Sequence, residues 1–302
     1  MPIKYQMLGG GGGTDLLLKV APNISVTLSK GTYTQTLTAN EQGQALFKNL
    51  SNGTYTATAQ GTDGVRYQKE ILVDDVQEEV FVVAKIKDLP LKSKIRLSDG
   101  KTFILQAKNA ENHPKNSATF ISEYIIEDFE WADDNYGANH YGAYKKLKSI
   151  FEKHLENLSA YERQSVLLFN ADGQEIGTEE PTVPSHFYFL SYFELGVNEN
   201  GNAFGPDDFS DGEYYGRNLG FSSNADRTKK YQSGKAGTYF LRNSNVWNSS
   251  LTIWYVDETG KVKSDYFFEH DTLTCGVVLA CDISGDTTVY LDTDGYYRVT
   301  DK

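Results

Sequence analysis

The sequence predicts a mixed fold: a small N-terminal all-β sandwich followed by a larger α+β domain. Three observations carry this. Residues 15–86 hold about seven short Thr-, Val- and Tyr-rich runs separated by turn signals. One long 3.6-residue apolar stripe, at residues 142–157, interrupts the β pattern. Alternating and apolar runs then return and continue to the C-terminus.

The chain starts with MPIKYQML and five consecutive glycines, Gly9 to Gly13. Glycine has the most backbone entropy to lose, so the expectation for residues 1–14 is a flexible linker or an arm ordered by a neighbouring subunit. The runs of residues 16–20, 24–28, 32–37, 45–47, 54–59, 66–73 and 79–84 follow. Turn chemistry at Ser29-Lys30-Gly31, Asn40 to Gly43, Ser51-Asn52-Gly53 and Thr62-Asp63-Gly64 divides them. Strands at this spacing predict a small antiparallel sandwich over residues 15–86, acting as a spacer.

Lys87 to Lys92 contains Pro90 and reads as a linker, so the second domain is expected over residues 87–302. Ser98-Asp99-Gly100 marks a hairpin turn, and residues 118–123 read as a strand. Tyr144, Leu147, Ile150, Phe151, Leu155 and Leu158 fall on one helical face. Ser159-Ala160-Tyr161-Glu162 has capping-box spacing and predicts a second helix to about Leu168. Residues 187–190 form a short hydrophobic strand, and residues 198–211 a long Gly/Asn/Asp loop.

Residues 237–282 draw the functional argument. Two β-type runs, 251–256 and 261–268, flank the turn Asp257-Glu258-Thr259-Gly260. Ahead of them Arg242 to Ser250 is polar and aromatic without a regular period, and reads as a loop. Behind them residues 272–281 read as one buried strand. Asn, Ser, Tyr and Trp held between strands have the chemistry of a recognition surface: adaptable hydrogen bonds and rigid contact area at low entropy cost. Strand alternation lets only one of Trp254 and Tyr255 point outward, so Trp254 is a core candidate as well as a display candidate. Trp247, in the polar segment, is the firmer display residue.

Composition bounds the alternatives. With 29 Lys and Arg against 41 Asp and Glu in 302 residues, the net charge of −12 repels phosphate backbones and anionic membranes, and excludes nucleic acid as the expected partner. The 20 tyrosines against 3 tryptophans suit a β-rich recognition protein, and also many sugar-active enzymes. No apolar h-region opens the chain and no 18-residue apolar run occurs, so neither a secretory signal nor a membrane span is expected. Cys275 and Cys281, on one expected strand, would face the same way about 20 Å apart, too far for a mutual disulfide. Buried thiols are expected. His113, His140, His154, His186 and His270 lack zinc-ligand spacing, and Ser191 and Ser210 lack a nucleophile-elbow frame. Asp133-Asp134-Asn135 and Asp207-Asp208 could hold a hard cation, with solvated loops the favoured reading. No catalytic residue, metal or cofactor is expected.

Several stretches resemble known modules. ALFKNLSNGTYTATAQ and TANEQGQALF resemble carboxypeptidase-regulatory, prealbumin/Ig-like β-sandwich modules that serve as spacers. From about Leu91 onward, SKIRLSDGKTFIL, NSATFISEYII, YGAYKKLKSIFEKHLENLS, HFYFLSYFELG, GTYFLRNSN, CGVVLACD and LDTDGYYRV resemble, as an ordered set, a tailed-phage and prophage module with a C-type-lectin-like fold. That module is related to the variable proteins of diversity-generating retroelements. The glycine run before TDLLLKV also looks like the start of phage tail proteins. The chain departs from the pattern at Asn243, where the module has Ser, and at Val278-Leu279, where it has Arg-Pro.

The resemblance implies a virion tail or tail-fibre protein, not an enzyme, that binds a host-surface glycan or protein. Carried over, the display positions are Asn243, Ser244, Asn245, Trp247, Asn248, Trp254, Tyr266, Phe267 and His270. It further implies assembly in the host cytoplasm, contact with other virion proteins through the N-terminal arm, and a cyclic homo-oligomer, a trimer by preference. The same broad fold includes formylglycine-generating oxidases with cysteines five apart; these are six apart. The calcium motifs of sugar-binding lectins, Glu-Pro-Asn and Trp-Asn-Asp, are absent. A structural decoration or tail-spacer protein and a cell-wall glycan hydrolase are the alternatives.

Overall fold

A computed structural model describes residues 7–10, 13–20, 23–41, 43–60, 66–74, 84–111, 113–132, 141–169, 185–198, 201–202, 218–247, 250–267, 272–292 and 294–300. The described chain is mostly β-sheet and divides into two compact units, Met1–Arg96 with Gly285–Lys302, and Leu97–Ser284.

Alternation of apolar with Thr/Ser residues builds the first unit. Its strands are β1 (Met7–Gly10), β2 (Gly13–Lys19), β3 (Ser25–Lys30), β4 (Tyr33–Thr38), β5 (Gln44–Leu50), β6 (Gly53–Gln60) and β7 (Arg66–Val73). They form a three-stranded sheet, β1–β2–β5, and a four-stranded sheet, β4–β3–β6–β7. Leu16 and Leu18, Ala45 and Phe47, Val26 and Leu28, and Tyr55, Ala57 and Ala59 are buried at every second position, as a half-buried strand requires. β2 to β7 correspond to six of the seven expected runs, residues 79–83 of the seventh lie outside the described residues, and β1 is an addition. Gly9 and Gly10 lie in β1, which pairs with β2 from Met7↔Leu16 to Gly10↔Gly13, where an independent arm was expected.

The unit boundary differs from the expected one at 86/87. β8 (Ala84–Lys85) and β9 (Lys94–Arg96) belong to the first unit. So does the C-terminal segment assigned from sequence to the binding domain, with its strands β21 (Thr288–Leu291) and β22 (Tyr297–Val299). β21 pairs with β8 and β22, and β22 runs parallel to β9. The Tyr297 and Tyr67 hydroxyls share a 2.7 Å hydrogen bond.

The second unit opens with β10 (Thr102–Lys108), β11 (Ser117–Ser122) and β12 (Asp128–Ala132), then α1 (Tyr141–Glu156), α2 (Ala160–Ser165) and β13 (Val166–Leu167). The capping box is present: Ser159 Oγ accepts the Glu162 N–H at 3.2 Å, and the Glu162 carboxylate accepts the Ser159 N–H at 2.9 Å. Glu162 also accepts the Ser98 N–H at 2.9 Å and the Ser98 hydroxyl, so one carboxylate ties the helix start to the 97–101 turn. Ser159→Ala is expected to cost about 1 kcal/mol, read as a lowered Tm in thermal unfolding. α2 ends at Ser165, short of the expected Leu168, because Val166 and Leu167 pair there with Ile283 and Asp282.

Beyond α3 (Asn224–Arg227), β14 (Lys229–Lys230) and β15 (Ala236–Gly237) come β16 (Tyr239–Trp247), β17 (Ser250–Val256), β18 (Val262–Phe267), β19 (Thr272–Gly276) and β20 (Ala280–Ser284). β20 sits between β13 and β11, with β10 next to β11. A second sheet runs β12–β19–β16–β17–β18. Two expectations are corrected here. Residues 272–281 are two strands in two sheets, not one, so the same-face argument for Cys275 and Cys281 does not hold, although both thiols are free and buried. Arg242 to Trp247 is strand, not loop: pairing with β17 overrides the weak β-propensity of Asn and Ser. The hydrophobic residues 187–190 make only an isolated bridge, Tyr188↔Ala280.

Candidate functional site

The antiparallel ribbon β16–β17–β18 is fixed at one end. Tyr239, opposite Val256, is 1% exposed and its hydroxyl donates to the Arg227 carbonyl at 2.7 Å. Val256 and Val262 face each other across β17 and β18 and are both buried. Trp254 is 8% exposed, with its ring 5.7 Å from Tyr192.

The β17–β18 turn is fastened from both sides. The Asp257 carboxylate accepts the N–H groups of Thr259 (2.9 Å) and Lys261 (3.1 Å) and the Thr259 hydroxyl (2.6 Å). Its ion pair with Lys263 measures 2.8 Å. Partial burial alone would raise its pKa, but Lys263 and these donors outweigh it and hold the carboxyl down at about 2. Gly260 has φ +82° and its carbonyl accepts from Arg227 Nε at 3.2 Å. The same guanidinium reaches the Leu195 carbonyl (3.1 Å) and Asn224 Oδ1 (2.7 Å), which satisfies a buried cation with neutral acceptors.

The display residues expected from sequence distribute unevenly. Asn245 lies opposite Thr252, which lies opposite Tyr266, so these three form one cross-strand row. Trp247 lies opposite Ser250. Ser244 belongs to the row of Ile253, and Phe267 to the row of Leu251 and Val246. Neighbouring rows alternate between sheet faces, so positions 245, 247 and 266 share one face and positions 244 and 267 share the other. Asn243 falls in the irregular interval between Phe240 and Ser244, where register gives no row. Asn248 and His270 lie outside the described residues. Trp254 is a correction: it belongs to the core with Tyr192, Val256 and Val262 and presents no binding surface. Asp133 to Asn135, Asp207 and Asp208 also lie outside the described residues.

Sequence reasoning missed a buried charge cluster. His113, in the β10–β11 connection, puts Nδ1 3.0 Å from Asp282 Oδ2 and Nε2 3.3 Å from Glu194 Oε1. The three side chains are 2%, 0% and 3% exposed. Thr119 and Tyr188 hydroxyls donate to Asp282 at 2.7 and 3.0 Å, and the Ser191 N–H donates to Glu194 at 2.9 Å. Phe169 stacks on the imidazole with centroids 4.6 Å apart. Burial pulls the imidazole pKa down, but the two carboxylates overcome it and push it up to about 9, so both ring nitrogens carry protons at neutral pH. The cluster fastens the β10–β11 connection, the turn at Ser191 to Glu194 and β20 to one another. One sequence signal pointed to it: Asp282 is the lone acid after the apolar run Val277 to Cys281.

A second imidazole, His154 on α1, is 3.2 Å from Asp99 Oδ2 through Nδ1 and 3.7 Å from Glu127 Oε1 through Nε2. Asp99 also accepts the Lys101 N–H at 2.9 Å, and the Ser98 hydroxyl is taken by Glu162, so the pair holds the helix to the turn. Among the described residues no three His, Cys, Asp or Glu side chains are grouped to hold a metal ion, and no helix is long and apolar enough to cross a membrane. Burial pushes the Cys281 thiol well up, which keeps it protonated and unreactive. Comparison of the chain with protein-family models, with curated proteins and with solved structures finds no match.

Proposed function

We propose that this chain is a virion receptor-binding or adhesion protein of a bacteriophage tail, which contacts a host-surface ligand through the β16–β17–β18 ribbon. The first unit serves as the spacer. The observation that carries the reading is the ribbon's register. Its near end is core, through Tyr239, Trp254, Val256 and Val262. Its strands run on past that core to the row Asn245–Thr252–Tyr266 and the pair Trp247–Ser250. Amide, hydroxyl, phenol and indole residues on a preorganised sheet face are the ingredients of a low-entropy binding surface. The C-type-lectin-like assignment of the second unit rests on the sequence resemblance and is part of the same proposal.

The test is adsorption. The purified chain is expected to bind host cells and to block phage attachment. The double substitution Asn245→Ala/Trp247→Ala should weaken binding by roughly thirtyfold or more, as loss of a central aromatic anchor does. Its Tm should match the parent's. A folded double variant that blocks attachment as well as the parent sinks the assignment.

A further inference from the structure

We propose that β4 is a self-association edge, at which two copies of this chain pair their four-stranded sheets antiparallel about a twofold axis through Thr36. This goes beyond the receptor-binding reading and does not depend on it.

The backbone fixes which groups are free. β3 and β4 pair with Lys30↔Tyr33 at the hairpin end and Ser25↔Thr38 at the other. The Ala39 N–H donates to the Ile24 carbonyl at 2.9 Å, so Ala39 bonds inward. In an antiparallel ladder inward and outward bonding alternate along the strand. Tyr33, Gln35 and Leu37 therefore also bond inward to β3, and the N–H and C=O groups of Thr34, Thr36 and Thr38 point off the edge. Among the described residues β4 pairs with β3 alone. Thr34, Thr36 and Thr38 are exposed.

Proteins protect such edges with charge, proline or a bulge. The other described edge strands longer than four residues carry charges: Lys48 on β5, Arg66, Lys69 and Glu70 on β7, Asp128 and Glu130 on β12, Lys263 and Asp265 on β18. β4 reads YTQTLT, with no charge and no proline, and its register with β3 is unbroken. In a chain of net charge −12 this strand opposes no like charges to its own copy.

The strand also fits a copy of itself. A twofold through Thr36 sets Thr36 opposite Thr36 and Thr34 opposite Thr38, so every outward group meets an outward group. Three such pairs would exchange about six main-chain hydrogen bonds. The hydroxyl row continues across the axis: Thr36 already bonds Thr27 (2.8 Å) and Thr38 bonds Ser25 (3.1 Å) on the same exposed face. The result is a twofold contact, distinct from the trimer implied by the sequence resemblance.

Sedimentation equilibrium of the full chain should show concentration-dependent association from 33.8 kDa toward twice that mass. Thr36→Lys, which changes only an exposed position, should raise the dissociation constant at least tenfold. Thr36→Cys should oxidise to a covalent dimer, because facing residues in such a pair lie within disulfide reach. Thr54→Cys, exposed on β6 two strands in from the edge, should not. A parent that stays at monomer mass, a Thr36→Lys variant that associates like the parent, or equal cross-linking of the two cysteine variants would each overturn the proposal. Loss of association with host binding retained leaves the ribbon assignment standing, and the converse result separates the two in the other direction.

Discussion

His113→Ala is expected to lower the unfolding free energy by about 3–5 kcal/mol, the cost of breaking a buried ion pair from one side. The imidazolium lies between Asp282 and Glu194, and all three side chains are at most 3% exposed. Removing it leaves two carboxylates in a water-poor interior. Thr119, Tyr188 and the Ser191 N–H still donate to them, but hydroxyl and amide dipoles do not replace a full charge. The substitution also removes the ring stacked on Phe169, which adds a packing loss. Urea unfolding at neutral pH measures the total.

A pH series separates charge from packing. The folded-state pKa of His113, about 9, lies above its ordinary value of 6.5, so folding strengthens proton binding. Its contribution is complete below about pH 6.5 and fades as pH rises through 9. Up to about 3 kcal/mol of stability should disappear over that window in the parent. The His113→Ala variant should lack this slope. If both proteins lose stability in parallel between those pH values, the triad is not what holds the proton.

The first unit was legible because each strand is short, alternates, and ends in a turn with its own chemistry. Helices α1 and α2 were legible for the same local reason: a 3.6-residue stripe and a Ser–Glu capping pair. What failed was non-local. Cys275, Val277, Val278, Leu279 and Cys281 are all buried, so continuous burial erased the alternation that would have shown β19 ending and β20 beginning. β16 looked like a loop because Asn and Ser are poor strand formers, and only its partner β17 makes it a strand. His113 meets Asp282 across 169 positions, and no spacing rule reaches that far. Within the candidate site the residue types were readable but the faces were not. Trp254 packs in the core, and cross-strand register divided positions 244, 245, 247, 266 and 267 between two faces.

Gly260→Ala is expected to destabilise the second unit by about 2–5 kcal/mol and to weaken the ribbon with it, through two effects that add. Gly260 has φ +82°, which costs a residue with a Cβ about 1–2 kcal/mol. A Cβ there would also stand 1.8 Å from the Asn224 carbonyl oxygen and 2.6 Å from its carbon. That contact is backbone at the start of α3, which cannot rotate away as a flexible side chain would. Either the Asp257–Gly260 turn lifts off α3 or α3 moves, and overpacking of this kind costs about 1–3 kcal/mol. Lifting the turn also strains the Arg227 bond to the Gly260 carbonyl and, beyond it, the bonds to Leu195 and Asn224. Gly295 provides the control: its φ is +81° and a Cβ there meets nothing within 4 Å, so Gly295→Ala should show the φ cost alone. Equal losses of Tm for the two variants would mean that the α3 contact contributes nothing, and that the ribbon's turn is held by Asp257 and Lys263 without it.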